Sequence, residues 1–560
     1  MRTCASFAIC AAALVLLASC KEKEESGPPR PDVVCPGDSS CPDEGEAVLY
    51  AGAAVRDVTP EIIDYQTVDE DADAIFDPPP IGNDEWFDGD SDGEWDFVFM
   101  AGLGSPRPAR DVHDPITSRV LVLRWKETTI AIVALDVIGY FSSDIASIRE
   151  AVSDLDIDHV SVSSTHVHEG PDTVGIWGMN EMWPGWREEF YTKINEETEA
   201  AIREAHASMA PARVTYNQIT ADRNPTYGAC NVQSDGRDPV IFSDELTVLH
   251  FTGRDSGDSI ATLVHFTDHP ESSDDRHQSL SADYVYWLRD GVENGIDHNG
   301  FVMDGLGGIA LFLNGPLGSQ VGPGDVICED VDGTVITERG FEKSACMGRS
   351  IARMALEAVD EGEGPEDDVP LEVRARRFEL AVENYGYHAM MLGHVFHRDD
   401  VHGYDSSIPA GPANLPWIWT EVSWIRIGRA QAIGVGGEAS PELFIGGYDG
   451  SHTPECARTS QSLDTTSLSH PDNINPPDLS QAPGPPYLFD RLDGADFPMA
   501  WGLTNDEIGY LIPSYDFVLA HPGAYITEAP GHHYEETNSL GESAWPTMEQ
   551  NVIEMLTWKP

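Results

Sequence analysis

Positive charge is scarce in this sequence. Its 560 residues carry 33 Lys and Arg against 96 Asp and Glu, a formal net charge of −63. A field of that sign repels nucleic acid and anionic lipid head groups, so no nucleic-acid partner is expected, and it concentrates cations. The common catalytic signatures are also missing. There is no HExxH, no P-loop, no GxSxG nucleophile elbow set between a strand and a helix, and no CxxC pair to hold a cysteine-type zinc. "GLGGIA", residues 305–310, fits a dinucleotide fingerprint but runs into the strand-like "LFLNG" instead of a helix, which excludes that use. No repeat of 20–50 residues recurs. After the N-terminus no apolar run is long enough to span a bilayer.

What is there begins at that N-terminus. Arg2 precedes the apolar "CASFAICAAALVLLA", of signal-peptide length, and Leu17-Ala18-Ser19-Cys20 resembles the bacterial lipobox. The reading is a lipoprotein signal peptide over 1–20, with Cys20 lipidated and anchoring the chain to a membrane. The outer membrane or cell surface is favoured because Lys21 gives no inner-membrane retention signal. Residues 21–48 are charged and rich in Pro, Gly and Ser, a tether unable to bury enough apolar surface to fold. Beyond Cys20 the cysteines number six, Cys35, Cys41, Cys230, Cys328, Cys346 and Cys456; an even count in an exported chain favours disulfides. Proximity pairs Cys35 with Cys41 and Cys328 with Cys346.

From residue 49 to 560 the pattern is that of one large mixed α/β domain with long loops and sheets flanked by helices. "SRVLVLRW" and "TTIAIVALDVIGYF" read as a hairpin leading into a buried strand. "SSDIASIREAVSDLDI" follows, with Ile145, Ile148, Val152 and Leu155 at helical spacing behind a serine cap. The β-branched "DHVSV" closes a βαβ unit with parallel strands. His166 and His168 of "SSTHVHEGPD" fall just past that second strand, at the edge where open α/β sheets gather functional groups. On a strand, residues i and i+2 share a face, so His-x-His can present two imidazoles to one metal.

Further polar groups recur downstream: His265, His269 and His277 in "HFTDHPESSDDRH", Glu438 in "VGGEAS", His532, His533 and Tyr534 in "GHHYEE", and Arg223 in "ADRNP". Singly, each is explained by an exposed loop or an ion pair. Together and in order, these stretches resemble the neutral (non-lysosomal) ceramidase family. "AGAAVRDVTPE" is similar to the family's opening strand and "D-[IV]-T-P" turn, "THVHEGPD" to "T-H-T-H-S-G-P", "DRNP" to "N-R-S-P", "DHPE" to "V-H-P-T", "GGEAS" to "P-G-E-F-T" and "HYEE" to "R-Y-E".

The resemblance implies a zinc amidase. Its metal ligands carry over to His166, His269, Glu438 and Tyr534. His168 and Arg223 match residues that contact the reacting carbonyl, with His168 also placed for proton transfer to the leaving amine. "FLNGPLGSQVGP" is loosely similar to "N-V-G-D-V-S-P-N", which puts Ser319 at an active-site serine, although the preceding Asp and the following Pro-Asn are not kept. The family's disulfide falls at Cys328 and Cys346. Zinc takes imidazole and carboxylate ligands and keeps a position open for water, whose pKa it lowers from roughly 15.7 to about 7. The implied substrate is a lipid-like N-acyl compound. Two departures point away from ceramide itself: the chain reaches Pro560 soon after Tyr534, without the family's C-terminal immunoglobulin-like domain, and it carries an acidic insertion at about 83–97.

Within that insertion Asp88, Asp90, Asp92 and Asp96, with Gly93, fit D-x-D-x-D-G-x-x-D, an oxygen-rich turn able to wrap Ca2+, although Phe99 stands at the position of the EF-hand glutamate. The sequence leaves two rival readings open: a non-catalytic surface lipoprotein of the same fold that binds lipid or glycan, and a serine-dependent acyl hydrolase using Ser319. Oligomeric state is not legible in it.

Overall fold

The computed structural model describes residues 28–560 except 181, 274–275, 410, 461–462, 464–466 and 524. The signal segment, the lipidation position Cys20 and residues 21–27 therefore lie outside the described residues; the rest of the expected tether is ordered, because Val33–Cys35 pair with the second sheet and the Cys35–Cys41 disulfide is buried. Two sheets stack face to face with helices on both outer surfaces. The first has the strands β2 (Leu49–Asp57), β3 (Thr117–Trp125), β4 (Thr128–Leu135), β5 (His159–Ser164), β6 (Ala210–Thr220), β7 (Glu245–Gly253), β8 (Ser259–Phe266) and β9 (Ile309–Asn314), in the order β9-β8-β7-β6-β2-β3-β4-β5. A short β10 (Glu363–Glu366) pairs with β6 off that path. The second sheet runs β1 (Val33–Cys35), β11 (Leu371–Ala381), β12 (Trp417–Ile427), β13 (Ala430–Gly434) and β14 (Phe497–Trp501), paired in that order. The mixed α/β class expected from the sequence is what the structure has.

Layering follows from alternation along the strands. In β3, Leu121 and Leu123 point into the space between the sheets, where Leu249, Leu263, Leu311, Val373, Ile425, Met499 and Trp501 meet them. Val120 and Val122 point the other way, onto α1 (Ser142–Ala151) and α2 (Glu188–Ala207) through Ile145, Ile148, Phe190 and Ile194. A strand buried on both faces is apolar at every position, which is why "VLVL" shows no polar alternation. Helices α3 (Asp283–Asn294) and α4 (Phe341–Asp360) cover the far half of the same face, packing Leu288, Met347 and Ile351 on Val264 and Phe312. On the outer face of the second sheet, α5 (Ala544–Thr557) seats Trp545, Met548 and Val552 against Leu380, Val422 and Ile433.

The β3–β4 hairpin and the β4–α1–β5 unit stand where the sequence puts them, with β4 and β5 parallel. The serine cap does not form. Phe141 is the N-cap, and the Ser142 N–H instead donates to Asp506 Oδ1 at 3.0 Å, so a carboxylate from far along the chain serves the helix terminus. Three disulfides close, Cys35–Cys41, Cys328–Cys346 and Cys230–Cys456, the last joining segments 226 residues apart. Among the described residues no helix is long and apolar enough to cross a membrane.

Candidate metal centre

β5 ends at Ser164, and the chain turns so sharply that His166 has φ of 69°. A left-handed histidine is strained, and two backbone contacts hold it: its N–H donates to Val137 O at 3.0 Å and its Nδ1 to Ile138 O at 2.6 Å. The two imidazoles therefore converge through a turn and not through strand periodicity, a correction to the i, i+2 reading. His269 lies three residues past β8, and its Nδ1 donates to Gln320 O at 2.9 Å. With Nδ1 of each ring held on a backbone carbonyl, Nε2 of both rings is the nitrogen turned toward Glu438 and the one available to a metal.

Glu438 follows β13 in the two-residue strand Glu438–Ala439, which pairs in parallel with Tyr510–Leu511. Its Oε2 lies 3.1 Å from His269 Nε2 and 3.4 Å from His166 Nε2. Ligand atoms about 2.0–2.1 Å from a tetrahedral zinc stand roughly 3.3 Å apart, so these separations are compatible with the edges of such a polyhedron. Electrostatics agree. Burial alone would lower His166, but the Glu438 charge outweighs it and raises the imidazole to about 9; burial would raise Glu438, but the His166 charge and the nearby His269 imidazole hold it well below the carboxylate range. A site that draws positive charge between three buried donors fits a divalent cation.

His168 is buried beside them. One nitrogen from each of His166, His168 and His269 lies within 4.8 Å of the others, while neither ring nitrogen of His168 has a hydrogen-bond partner among the described residues. Its side chain is packed so tightly that a Cβ on Gly102, at φ +85°, would sit 2.4 Å from its Cβ and Cγ. Tyr534, 49% exposed, lines the same cavity as His166, His168 and Glu438, its ring 5.8 Å from that of Tyr510. The cavity holds about 670 Å3 of empty space, part of it open to solvent, and its walls are apolar: Ile138, Phe141, Val174, Trp177, Phe396 and Leu540.

Of the ten other side chains singled out from the sequence, none lines this cavity. Arg223, on a surface turn, pairs with Glu361 at 2.9 Å and Glu357 at 3.4 Å and lines a separate cleft with Asn217 and Glu245. Glu357 on α4 and Glu361 just past its C-terminus hold Arg223 away from the imidazoles. Ser319 is buried, donates to Asp235 Oδ2 at 3.3 Å and does not line the cavity, so its hydroxyl is not presented there. His265 donates to Ala500 O, His277 stacks near Phe341, His533 pairs with Glu536, and His532 is on the far side of its turn near Gly236 O.

The acidic loop assembles differently from its motif. Asp88 and Asp90 offer oxygens within 4.8 Å of each other and of Asp64, a residue the motif did not include. Asp92 accepts the Glu94 N–H, and Asp96 is taken by Arg187 at 2.6 Å. Three functional neighbours went unseen in the sequence. Glu507 lines the cavity, pushed up to about 8 by burial and then by Glu438. Glu271 reaches His168 Nδ1 at 3.3 Å. Buried Arg237 binds Asp516, Glu535 and Glu536 and so fixes the turn that carries Tyr534. Isolated charges in loops carry no periodic signal; only Glu271, inside "DHPE", had one.

No protein-family model matches the chain, and no curated protein matches it in sequence. Solved structures do match. Neutral ceramidase from Pseudomonas aeruginosa superposes with a TM-score of 0.57 over 91% of this chain and 74% of its own, at 14% identity. A ceramidase complexed with C2 gives 0.57 over 91% and 75%, at 12% identity. Likeness at such identities is likeness of architecture. The chain has the fold of the neutral ceramidases.

Proposed function

We propose that this chain is an exported, metal-dependent hydrolase of an N-acyl (amide) bond in a lipid-like substrate of the ceramide type. The observation that carries the reading is the convergence of His166 Nε2, His269 Nε2 and Glu438 Oε2, with His166 and Glu438 lining an apolar cavity that Tyr534 also lines. Those four side chains would hold Zn2+, which supplies Lewis acidity toward a carbonyl and toward water. The two backbone carbonyls of Ile138 and Gln320 orient the imidazoles. Phe141, Val174, Trp177 and Phe396 take an alkyl chain and exclude water from the polar floor. The Nδ1 side of His168 faces Glu271, so Nε2 is the atom left to donate to the oxygen that gains charge when an amide carbonyl is attacked. The three disulfides support an oxidising compartment, which agrees with export and lipidation at Cys20.

The test is hydrolysis of an N-acyl sphingoid substrate panel by purified protein, before and after chelation. Expected results are loss of turnover on chelation and in His166→Ala, recovery on adding Zn2+ to wild type, and near-normal turnover in Ser319→Ala and Arg223→Ala. Turnover that survives chelation and His166→Ala but is lost in Ser319→Ala refutes the reading and favours a serine hydrolase. Lipid binding without turnover favours the non-catalytic surface protein.

A further inference from the structure

A second group of buried acids lies behind the first centre and is not used by it. Glu169 and Asp268 are each fully buried, and neither carboxylate oxygen of either has a hydrogen-bond partner among the described residues. The Ser273 hydroxyl lies close enough to favour ionised Glu169 but not in hydrogen-bonding geometry. Both carboxylates feel the repelling charges of Asp283 and Glu271. Arg107, the cation beside Glu169, spends one guanidinium nitrogen on the carbonyls of Ala101 and His168. Unpaired buried carboxylates are costly, and each calls for a proton, a water or an ion.

His168 indicates which. Its Nδ1 is 3.3 Å from Glu271 Oε2, yet the pair is not aligned as a hydrogen bond, and the residue is 92% buried. The same signature, close but unaligned, marks His166 Nε2 and Glu438 Oε2 at 3.4 Å. Two donor atoms so placed aim at a common third point, as cis ligands on one ion do. The other oxygen of Glu271 is pinned by the Gly322 N–H, so its free oxygen is held in place. Glu169 and Asp268 each adjoin a histidine of the site, His168 and His269, and Glu271 follows His269 by two residues, so the acids fall on both histidine turns at once.

We infer that Glu271 and His168 Nδ1, with Glu169 and Asp268, form a second divalent-cation site next to the His166–His269–Glu438 centre, making the floor of the cavity dinuclear. One imidazole and several carboxylates suit Zn2+ or Mn2+. His168 bound through Nδ1 keeps its proton on Nε2, the atom that faces substrate, and so is fixed as a hydrogen-bond donor. A cation there also offsets the carboxylate charge packed behind the first site. The inference rests on the first-site reading, and the test separates the two.

Purified full-length protein is stripped with chelator, reloaded with Mn2+ alone, desalted, and measured by elemental analysis and electron paramagnetic resonance. Wild type is expected to hold two ions per chain with a spin-coupled spectrum, and Glu271→Gln one ion with an uncoupled spectrum. Glu169→Gln, read in the same way, replaces Glu271→Gln where the latter loses its native circular dichroism. One ion in wild type, unchanged in Glu271→Gln and lost in His166→Ala, overturns the second site and leaves the first standing. Two ions retained in Glu271→Gln and Glu169→Gln, with no coupling, also overturn it, because the second ion is then elsewhere. No ion in wild type overturns both.

Discussion

Asp136→Asn should be among the most damaging conservative substitutions in the protein. Asp136 is the first residue past β4 and is fully buried. Its two oxygens each accept from Arg289 at 2.8 Å, and they also take the N–H and hydroxyl of Thr117 at 2.9 and 2.7 Å and the hydroxyl of Thr165 at 3.2 Å. Burial raises its pKa, but the Arg289 charge outweighs this and holds the carboxyl below its ordinary value. Asn keeps the shape and removes the charge, leaving a guanidinium that is 1% exposed without a counter-ion. Breaking a buried pair from one side costs about 3–5 kcal/mol, and Asn retains one acceptor, so about 3 kcal/mol is expected. The damage should also reach the candidate metal centre, because the next two residues supply the carbonyls that hold His166; loss of such support lowers metal affinity by roughly 10–100-fold. Urea unfolding followed by tryptophan fluorescence measures the first effect and competition with a chromophoric chelator the second. Asp136→Asn/Arg289→Met, which removes both charges, should recover most of the stability. A single-mutant cost below about 1 kcal/mol, or a double mutant worse than the single, refutes the reasoning.

Three further outcomes follow from the same coordinates. Burial lowers His159 and His265 to about 4 from an ordinary 6.5, so the unfolded chain binds more protons than the folded one between those values. Stability is then complete above pH ~6.5 and falls by about 3 kcal/mol per histidine toward pH ~4, and His159→Gln/His265→Gln should flatten that slope in denaturant titrations. Opening Cys230–Cys456 by the paired serine substitution frees a loop spanning 226 residues and should cost about 5 kcal/mol in the chain-entropy account, read as a lower unfolding midpoint under non-reducing conditions. Calcium should raise the melting midpoint of wild type and leave Asp90→Ala and Asp64→Asn unchanged; an equal midpoint with and without calcium in wild type ends the acidic-loop expectation.

Local patterning made the first third of the fold readable. The β3–β4 hairpin, α1 and β5 are contiguous, and their apolar spacing reports burial directly. The stacking of the two sheets was not readable, because the partners of Leu121 and Leu123 include Val373, Ile425 and Trp501, hundreds of residues away. The site divides in the same way. His166 and His269 follow strands whose ends could be located, and Glu438 follows a Gly-rich strand end. Arg223 was misplaced because "DRNP" gives no sign that α4 and the residue just past it will offer it two glutamates. Ser319 was misplaced because a serine's usefulness depends on its neighbour, here the buried Asp235. Cys230 and Cys456 could not be joined from spacing, and the α1 cap was supplied by Asp506 from the opposite end of the chain.

The central claim is that His166, His269 and Glu438 grip one ion beneath the apolar cavity. Anomalous diffraction from crystals of zinc-loaded protein, collected on either side of the zinc absorption edge, tests it most directly. The account requires a difference peak bounded by His166 Nε2, His269 Nε2 and Glu438 Oε2. Density at that point without an anomalous signal, or a zinc peak only at some other cluster, contradicts it.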